Sequence, residues 1–478
     1  MNDYRMKMKG LLLLFSLAGI TGCASYAESS RSDVPLPDAY RHSGLDASEG
    51  SAGAADSSAA RVSYAEFFRD PQLVKLLGDA IEHNHDLLVA IKTMESSRLG
   101  LGQSKLAYLP AVQLGAEVSS VRPSDNGSSP LAAGKESVEE YTASFGASWE
   151  LDVWGKIRNS EKAALAGYLA TVEAEKAVRT RLVADVADGY YNLLALRHRQ
   201  EVLTSSMELA EQTLSMLQLQ YEAGLVNSLG VERQQAVVAA RRSSLFELQR
   251  LVTVQENALS VLCGRSPDMV ETQASLLSLD AGTGDLVEGV PALLLRNRPD
   301  VKQAEMELMR AHAEAGVAAA RLYPSFTISA EWGVNALRES DWFSFPGSVF
   351  SFLQGAVLQP VFQRGELKTA ASQATIERDK EEIRFRQAVV EAVREVSDAL
   401  AGVQQLDARE NETLQQLKSL RSAAENALLL FQSGMADYLD VISAQDAALD
   451  AELSLADLRR SRLSARTELY RALGGGWQ

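Results

Sequence analysis

Four segments alternate apolar and polar side chains, and they mark the β elements of the chain. Val112, Leu114, Ala116 and Val118 are interleaved with Gln113, Gly115, Glu117 and Ser119. The pattern returns more regularly over 141–153, where Tyr141, Ala143, Phe145, Ala147, Trp149, Leu151 and Val153 alternate with Thr142, Ser144, Gly146, Ser148, Glu150 and Asp152. A third run sets Phe326, Ile328, Ala330, Trp332 and Val334 against Thr327, Ser329, Glu331, Gly333 and Asn335. A fourth, around 349–362, is less regular and contains Pro360. A period of two puts one set on each face of a strand. Such a sheet fits a soluble core with one wet face. Two features favour membrane strands instead. Each run is about 10 residues long, the reach of a tilted strand across hydrocarbon. Trp149, Trp154, Trp332 and Trp342 fall within or at the ends of the runs, as interfacial aromatics do. Four strands cannot close a barrel, and an open edge in lipid would leave N–H and C=O groups without partners. Several chains must then pool their strands: two would give eight, three would give twelve.

The rest of the chain reads as helix. Residues 156–222, 365–433 and 436–473 contain no Pro, and each of the two longer stretches could reach roughly 100 Å. Leu203, Met207, Ala210, Leu214, Leu217 and Tyr221 step by four and three, a coiled-coil seam. Leu449, Leu453, Ala456, Leu463 and Tyr470 fall on similar rows. Before the first strand, Asp70 can cap and Pro71 can begin a helix with Leu73, Leu76, Leu77 and Ile81 on one face.

The order of these elements repeats. Asn84, Asp86, Pro110 and Glu117 are followed by Asn297, Asp300, Pro324 and Glu331, the last three pairs 214 residues apart. Tyr221, Gly224, Leu229 and Gln235 match Phe431, Gly434, Leu439 and Gln445 at 210, and Leu262–Arg265 matches Leu473–Gly476 at 211. A tandem duplication follows. The chain divides into a first repeat over 62–265 (hairpin 111–154, helical hairpin 156–263), a connector over 266–295 and a second repeat over 296–478 (hairpin 325–362, helical hairpin 365–473). Each helical hairpin turns at a tip, YEAGLVNSLGVERQQ (221–235) or FQSGMADYLDVISAQD (431–446). The second tip carries Asp437 and Asp440, read as one turn apart on the incoming helix and therefore on one face.

Arg5, Lys7 and Lys9 precede an apolar run, Leu11–Ile20, too short to span a bilayer: a secretory signal over 1–22. Residues 23–61, rich in Ser, Ala, Gly and Asp, read as a tether. The sequence Gly19–Cys23 resembles a bacterial lipobox, which implies acylation of Cys23. Ala24, where Asp would signal inner-membrane retention, implies the outer membrane. Without 1–22 the chain has 44 Lys and Arg against 62 Asp and Glu, a net charge of −18. That excludes nucleic acid as a natural partner. Cys263 is the only other cysteine.

A secreted lipoprotein with a duplicated β-hairpin and long helical hairpin resembles the outer membrane factor family, the TolC-like and OprM-like export channels, and especially its NodT-type lipoproteins. FFRDPQL (67–73), the EHNHDL and RNRPDV pair, SWELDVWGK (148–156), RLYPSF (321–326), the two tips and ELYRALGGGW (468–477) carry the resemblance. It implies an α+β membrane protein: a homotrimeric twelve-stranded outer-membrane barrel, four strands per chain, continuous with a periplasmic helical tunnel. The connector and the C-terminus would form an equatorial belt. It implies a passive duct without enzymatic activity or cofactor, the lipid on Cys23 apart. Its partners would be outer-membrane lipid, a periplasmic adaptor and an inner-membrane RND-type transporter, as in multidrug resistance. Asp437 and Asp440 would gate the tip, a negative mouth favouring cations, although Ser443 stands where some members have a further Asp. Gly224, Leu225, Gly434, Met435 and Leu439 would form the docking tips.

His83 and His85, two apart, do not share a helical face. The Gly runs at 100–103 and 474–476 lack a phosphate-loop Lys. Ten scattered Met residues give no sign of a heavy-metal relay. The rival readings are a type I protein-secretion duct and a periplasmic coiled-coil adaptor or scaffold lipoprotein.

Overall fold

The computed structural model describes residues 37, 40–41, 62–122, 137–279 and 294–478. The signal, Cys23, nearly all of the tether and 280–293 of the connector lie outside the described residues. In chain order come α1 (Tyr64–Phe67), α2 (Pro71–His83), α3 (His85–Leu106), β1 (Ala111–Val121), β2 (Val138–Leu151), α4 (Lys156–Glu222) and α5 (Ser228–Leu262). Then follow α6 (Leu294–Asn297), α7 (Pro299–Ala320), β3 (Ser325–Ala336), β4 (Val349–Leu358), α8 (Glu366–Gln432) and α9 (Tyr438–Ala472). Both α4 and α8 have 67 residues, and both α5 and α9 have 35. The offset of 210 therefore holds at both ends of both helices. At the C-terminus it replaces the offset of 211. Gly264 and Gly474 both follow a helix end with φ of 67° and 93°, so Cys263 corresponds to Leu473. The left-handed residue after the last helical turn fixes the alignment.

The chain forms two compact units. The first, Leu99–Gly167 with Glu307–Ile383, holds an antiparallel sheet of order β1-β2-β3-β4. Its central pairing, β2 with β3, joins the hairpins of the two repeats. Register places Leu114, Phe145 and Trp332 side by side on one face, with Val112, Ala147, Ala330 and Leu353 in the next row. These side chains face outward, Leu114 84% and Leu353 78% exposed. Gln113, Gly146 and Glu331 lie on the other face. Val153 falls just beyond β2, and β4 ends at Leu358 before Pro360, whose missing N–H cannot extend a ladder. Aromatics mark both ends. Trp149 and Trp154 donate to the carbonyls of Tyr108 and Pro324 (2.9 and 2.8 Å) near the helical end, and Trp342 packs on Tyr141 near the loops. Trp332 is the exception, lying within β3. Asp152 accepts from the N–H groups of Ile157 and Arg158 and so starts α4. Among the described residues no helix is long and apolar enough to cross a membrane.

The second unit takes in 62–98, 168–279, 294–306 and 384–478 of the described residues. Leu73, Leu76 and Leu77 are buried as expected, while Ala80 rather than Ile81 completes the buried stripe of α2. They pack with Val186, Tyr190 and Leu193 of α4, Leu259 of α5 and Leu463 and Tyr470 of α9. Asp70 caps α2 and also accepts a 2.6 Å bond from the Tyr190 hydroxyl. The seams run at heptad spacing: Leu203, Ala210 and Leu217 on α4, and Ala456, Leu463 and Tyr470 on α9, are buried. Tyr221, where α4 reaches its tip, is exposed. Arg197 ties the described part of the connector to α5 through Thr272, the Val270 carbonyl and Glu256.

The duplication is visible in how the shorter helices end. Asn84 Nδ2 donates to the Leu262 carbonyl at the end of α5 (2.9 Å), and Arg298 Nη1 donates to the Ala472 carbonyl at the end of α9 (3.1 Å). Thus Arg298, not Asn297, is the counterpart of Asn84. A Cβ on Gly264 would lie 2.1 Å from the His83 carbonyl oxygen, and one on Gly474 2.8 Å from that of Asn297. Both contacts demand glycine. Arg298 is almost fully buried and pairs with Asp300 and Glu395 at 2.6 and 2.8 Å. Burial works to raise the pKa of Asp300, but the Arg298 guanidinium outweighs it and leaves the carboxyl below its ordinary value. We expect Arg298→Met to cost about 2–4 kcal/mol, read as a lower thermal unfolding midpoint at neutral pH. Because Asp300 is lowered in the folded state, the wild type should lose this advantage as pH falls through that lowered value. A gap between the two proteins that stays constant through acid would refute the pairing as its source.

Candidate functional site

Both tips are built from the same backbone. After α4, Gly224 (φ 72°) donates to the Tyr221 carbonyl at 2.9 Å and Leu225 to that of Gln220 at 2.9 Å. After α8, Gly434 (φ 74°) donates to Phe431 at 3.0 Å and Met435 to Leu430 at 2.8 Å. These paired bonds close a helix with a left-handed glycine. Among the described residues no atom crowds either glycine, so the requirement is conformational rather than spatial. Leu225 and Met435, the residues that follow, are 76% and 72% exposed, and Leu439 is also exposed. The predicted docking residues thus lie together on each turn.

The returning helices then begin at matching positions with different chemistry. Asn227 caps α5, its Oδ1 accepting from Gly230 N–H at 3.4 Å. At the same places in the second repeat stand Asp437 and Asp440. Asp437 is the residue before α9, and its N–H donates to the Asp440 carboxylate at 3.2 Å. This corrects the expected placement: the two acids open the returning helix instead of sharing a face of the incoming one. A helix start tolerates negative charge because its N–H groups are unpaired and its dipole is positive there. Both carboxylates remain exposed, so capping leaves their charge at the surface of the tip.

Beneath the turns lies a latch that the sequence pattern did not single out. Leu217, Phe431, Tyr438 and Val441 form a small apolar core. Within it the Tyr438 hydroxyl donates to Gln234 Oε1 at 2.6 Å, and Gln234 Nε2 donates to the Ala210 carbonyl at 2.7 Å. Gln234 is fully buried. Burial pushes the Tyr438 hydroxyl up to about 12, so it stays a donor at any physiological pH. One turn pair further along, buried Arg241 of α5 reaches Asp446 of α9 (2.8 Å) and the Ser206 carbonyl of α4 (2.7 Å). The latch therefore joins α9 to the α4–α5 hairpin. Its repeat counterparts, Ser228, Ala444, Ala451 and Ala236, cannot form it. A signal was present: Gln234, Val238, Arg241 and Leu248 are all buried on one stripe of α5, and two of them are polar.

His83 and His85 fall at the end of α2 and the start of α3. Among the described residues no group of three His, Cys, Asp or Glu is placed to hold a metal ion.

A duplicated hairpin-plus-coiled-coil chain, with an amphipathic four-stranded sheet and paired glycine turns, has the build of an outer-membrane export channel. The outer membrane efflux protein family model matches residues 76–265 and 290–475, one match per repeat, and the chain belongs to that family. The cation efflux system protein CusC of Escherichia coli O6:H1 is 29% identical over 475 residues, spanning 98% of this chain and 99% of CusC. TtgC of Pseudomonas putida KT2440, a probable efflux pump outer membrane protein, is 30% identical over 429 residues, 88% of this chain and 87% of TtgC. The open-state structure of the Neisseria gonorrhoeae MtrE outer membrane channel has the same fold, with a TM-score of 0.83 at 24% identity over 95% of this chain and 98% of MtrE. This protein is accordingly an outer-membrane efflux channel component, and the family is one of channel proteins. A cation efflux protein is about as similar as TtgC, so similarity lends nothing to the expectation against heavy-metal export.

The latch gives a double-mutant test. Gln234→Leu strands the buried Tyr438 hydroxyl and should cost about 1–3 kcal/mol, seen as faster amide exchange over 428–445. Tyr438→Phe should cost about 1 kcal/mol. The double variant should cost less than the sum, since it removes both partners. Strict additivity would show that the hydrogen bond does not hold the tip.

Proposed function

We propose that three copies of the chain pool their sheets into a twelve-stranded barrel and form a passive duct for small molecules leaving the periplasm. The observation that carries this reading is the open sheet, with one exposed apolar face and with the outer edges of β1 and β4 unpaired among the described residues. In hydrocarbon those edges need β1 to meet β4 of a neighbouring copy. The fold supports the duct over the adaptor or scaffold reading because both repeats carry membrane-length strands as well as helical hairpins.

In this reading the tips dock on a periplasmic adaptor through the exposed Leu225, Met435 and Leu439, and an RND-type inner-membrane transporter supplies the energy. The duct itself performs no catalytic step. Asp437 and Asp440, repeated around the axis, form a negative mouth that attracts cations. The latch of Tyr438 and Arg241 holds α9 at rest, and opening follows when the α8–α9 hairpin moves away from α4–α5. Cys23, by its lipobox, carries acyl chains that anchor the N-terminus in the outer membrane. Lipid supplies the anchor, while the strands do the spanning.

Planar-bilayer recording tests the duct. Asp437→Asn/Asp440→Asn removes charge yet keeps a side-chain oxygen for the helix cap. The wild type should show a small cation-selective conductance, and the variant a larger, less selective one. Unchanged conductance would put the gate elsewhere, and no conductance from SDS-resistant trimer would favour the scaffold reading. Cys23→Ser should abolish labelling by radioactive palmitate, and labelling that persists would refute the acylation site.

A further inference from the structure

The end of α9 remote from the tip meets α4 across a cavity whose charges do not balance. The cavity, about 510 Å³, is lined from α4 by Arg181, Asp185 and Asp188, and from α9 by Glu468 and Arg471. Arg298 and Asp300, where α7 begins, and Glu395 of α8 complete its charged lining. Two of the arginines are already committed. Arg298 holds Asp300 and Glu395, and Arg471 holds Glu395 at 3.0 Å and also Glu468. Asp185 and Asp188 enter no ion pair among the described residues. Of the lining arginines only Arg181 remains for them, and among the described residues it forms no ion pair either.

Hydrogen bonding is incomplete at the same place. Asp188 is partly buried, and its Oδ1 has no hydrogen-bond partner among the described residues. Neither has the Ser464 hydroxyl of α9, nor that of Thr180, which lines the cavity from α4 and is only 7% exposed. A charged carboxylate can only accept, whereas a protonated one also donates. Burial raises the pKa of Asp188, to which Glu468 and Asp185 add, against the pull of nearby Ser464 and Arg460. Burial also raises Asp185, with Glu468 adding and Arg181 and Arg471 opposing. Glu468 is itself held below its ordinary value by the hydrogen bond from Arg471. It therefore stays negative while the two Asp carboxyls take up protons. Burial keeps the Tyr191 hydroxyl, which also senses Asp188, neutral.

We propose that Asp185 and Asp188 make this cavity an acid-closed clasp, which draws the far end of α9 onto α4 as the surroundings acidify. Protonation removes their repulsion from Glu468 and supplies a donor to it or to Ser464. Each proton taken up thus replaces a repulsion between two helices by an attraction. By linkage, a carboxyl raised in the folded state opposes folding while charged, and that cost disappears as pH falls through the raised value. The arginine pairings have the opposite sense: Asp300 and Glu468 are lowered, and their contribution is lost only in stronger acid. The clasp therefore closes before its neighbours let go. On the duct reading, on which this last step rests, a closed clasp holds the α8–α9 hairpin at rest from the end opposite the tip latch.

Hydrogen exchange of the full chain tests the clasp, comparing wild type with Asp185→Asn/Asp188→Asn at matched pH so that intrinsic rates cancel. The Asn pair carries no charge to repel Glu468 and can donate to it. At about pH 7.5 it should slow exchange over 460–472 several-fold, and the difference should shrink as pH falls toward about 5. Asn and Asp differ little in helix propensity, and any such effect is independent of pH. Asp185→Glu/Asp188→Glu keeps the charge and should keep the pH dependence of the wild type. Faster exchange in the Asn pair, a difference indifferent to pH, or a Glu pair that behaves like the Asn pair overturns the clasp. For the gate, planar-bilayer recording in an Asp437→Asn/Asp440→Asn background removes titration at the tip. Its open fraction should fall with pH, and adding the Asn pair should make it low and insensitive to pH. An open fraction that responds equally with and without the pair overturns the link to gating. A wild type without conductance fails the duct reading itself, and the exchange result then decides the clasp alone.

Discussion

A sheet of four strands has two edges, and in hydrocarbon neither edge can remain open. Each unpaired N–H or C=O group in lipid costs several kcal/mol, so the strands of one chain cannot form a finished membrane structure. The outward rows of Leu114, Phe145, Trp332 and Leu353 are stable only where lipid covers them. This constraint explains why one chain exposes so much apolar surface without being misfolded. It also explains why the two hairpins, far apart in sequence, pair through β2 and β3: every internal pairing leaves fewer edges to be met by neighbours.

The helical unit answers a different constraint, the satisfaction of helix ends. Each of the four long helices stops at a left-handed glycine, and the glycines at 224, 264, 434 and 474 fall into two pairs 210 residues apart. At the two turns remote from the tips, the last carbonyls are also served by Asn84 and Arg298. One is neutral and one charged, and the charged one brings Asp300, Glu395 and the pairing energy of a buried guanidinium. The duplication kept the geometry and let the chemistry drift.

Much of this was legible in the sequence for physical reasons. Period-two alternation revealed the strands, Pro-free heptads the helices, and Gly-anchored repeats the turns, because each is a local rule. The errors came where local and tertiary information conflict. Asp437 and Asp440 are three residues apart, as they would be on one helix face, but helix starts also favour acids at this spacing, and the cap won. The latch of Gln234, Tyr438, Arg241 and Asp446 was missed because its members come from helices whose pairing no periodicity specifies. A polar residue on an otherwise apolar stripe was the only available hint.

The paired tips hold one more consequence. In backbone terms each chain ends in two near copies of one turn, with the same glycine, the same pair of closing bonds and an exposed Leu or Met next to it. In charge terms the copies differ where the returning helix begins, Asn227 and Gly230 standing at the places of Asp437 and Asp440. A protein that reads shape meets two equivalent handles per chain, while an ion that reads the acids at the helix start meets one. The same stretch of polypeptide thus speaks with twofold repetition to a macromolecule and with a single voice to a solute, and selection could tune either audience without disturbing the other.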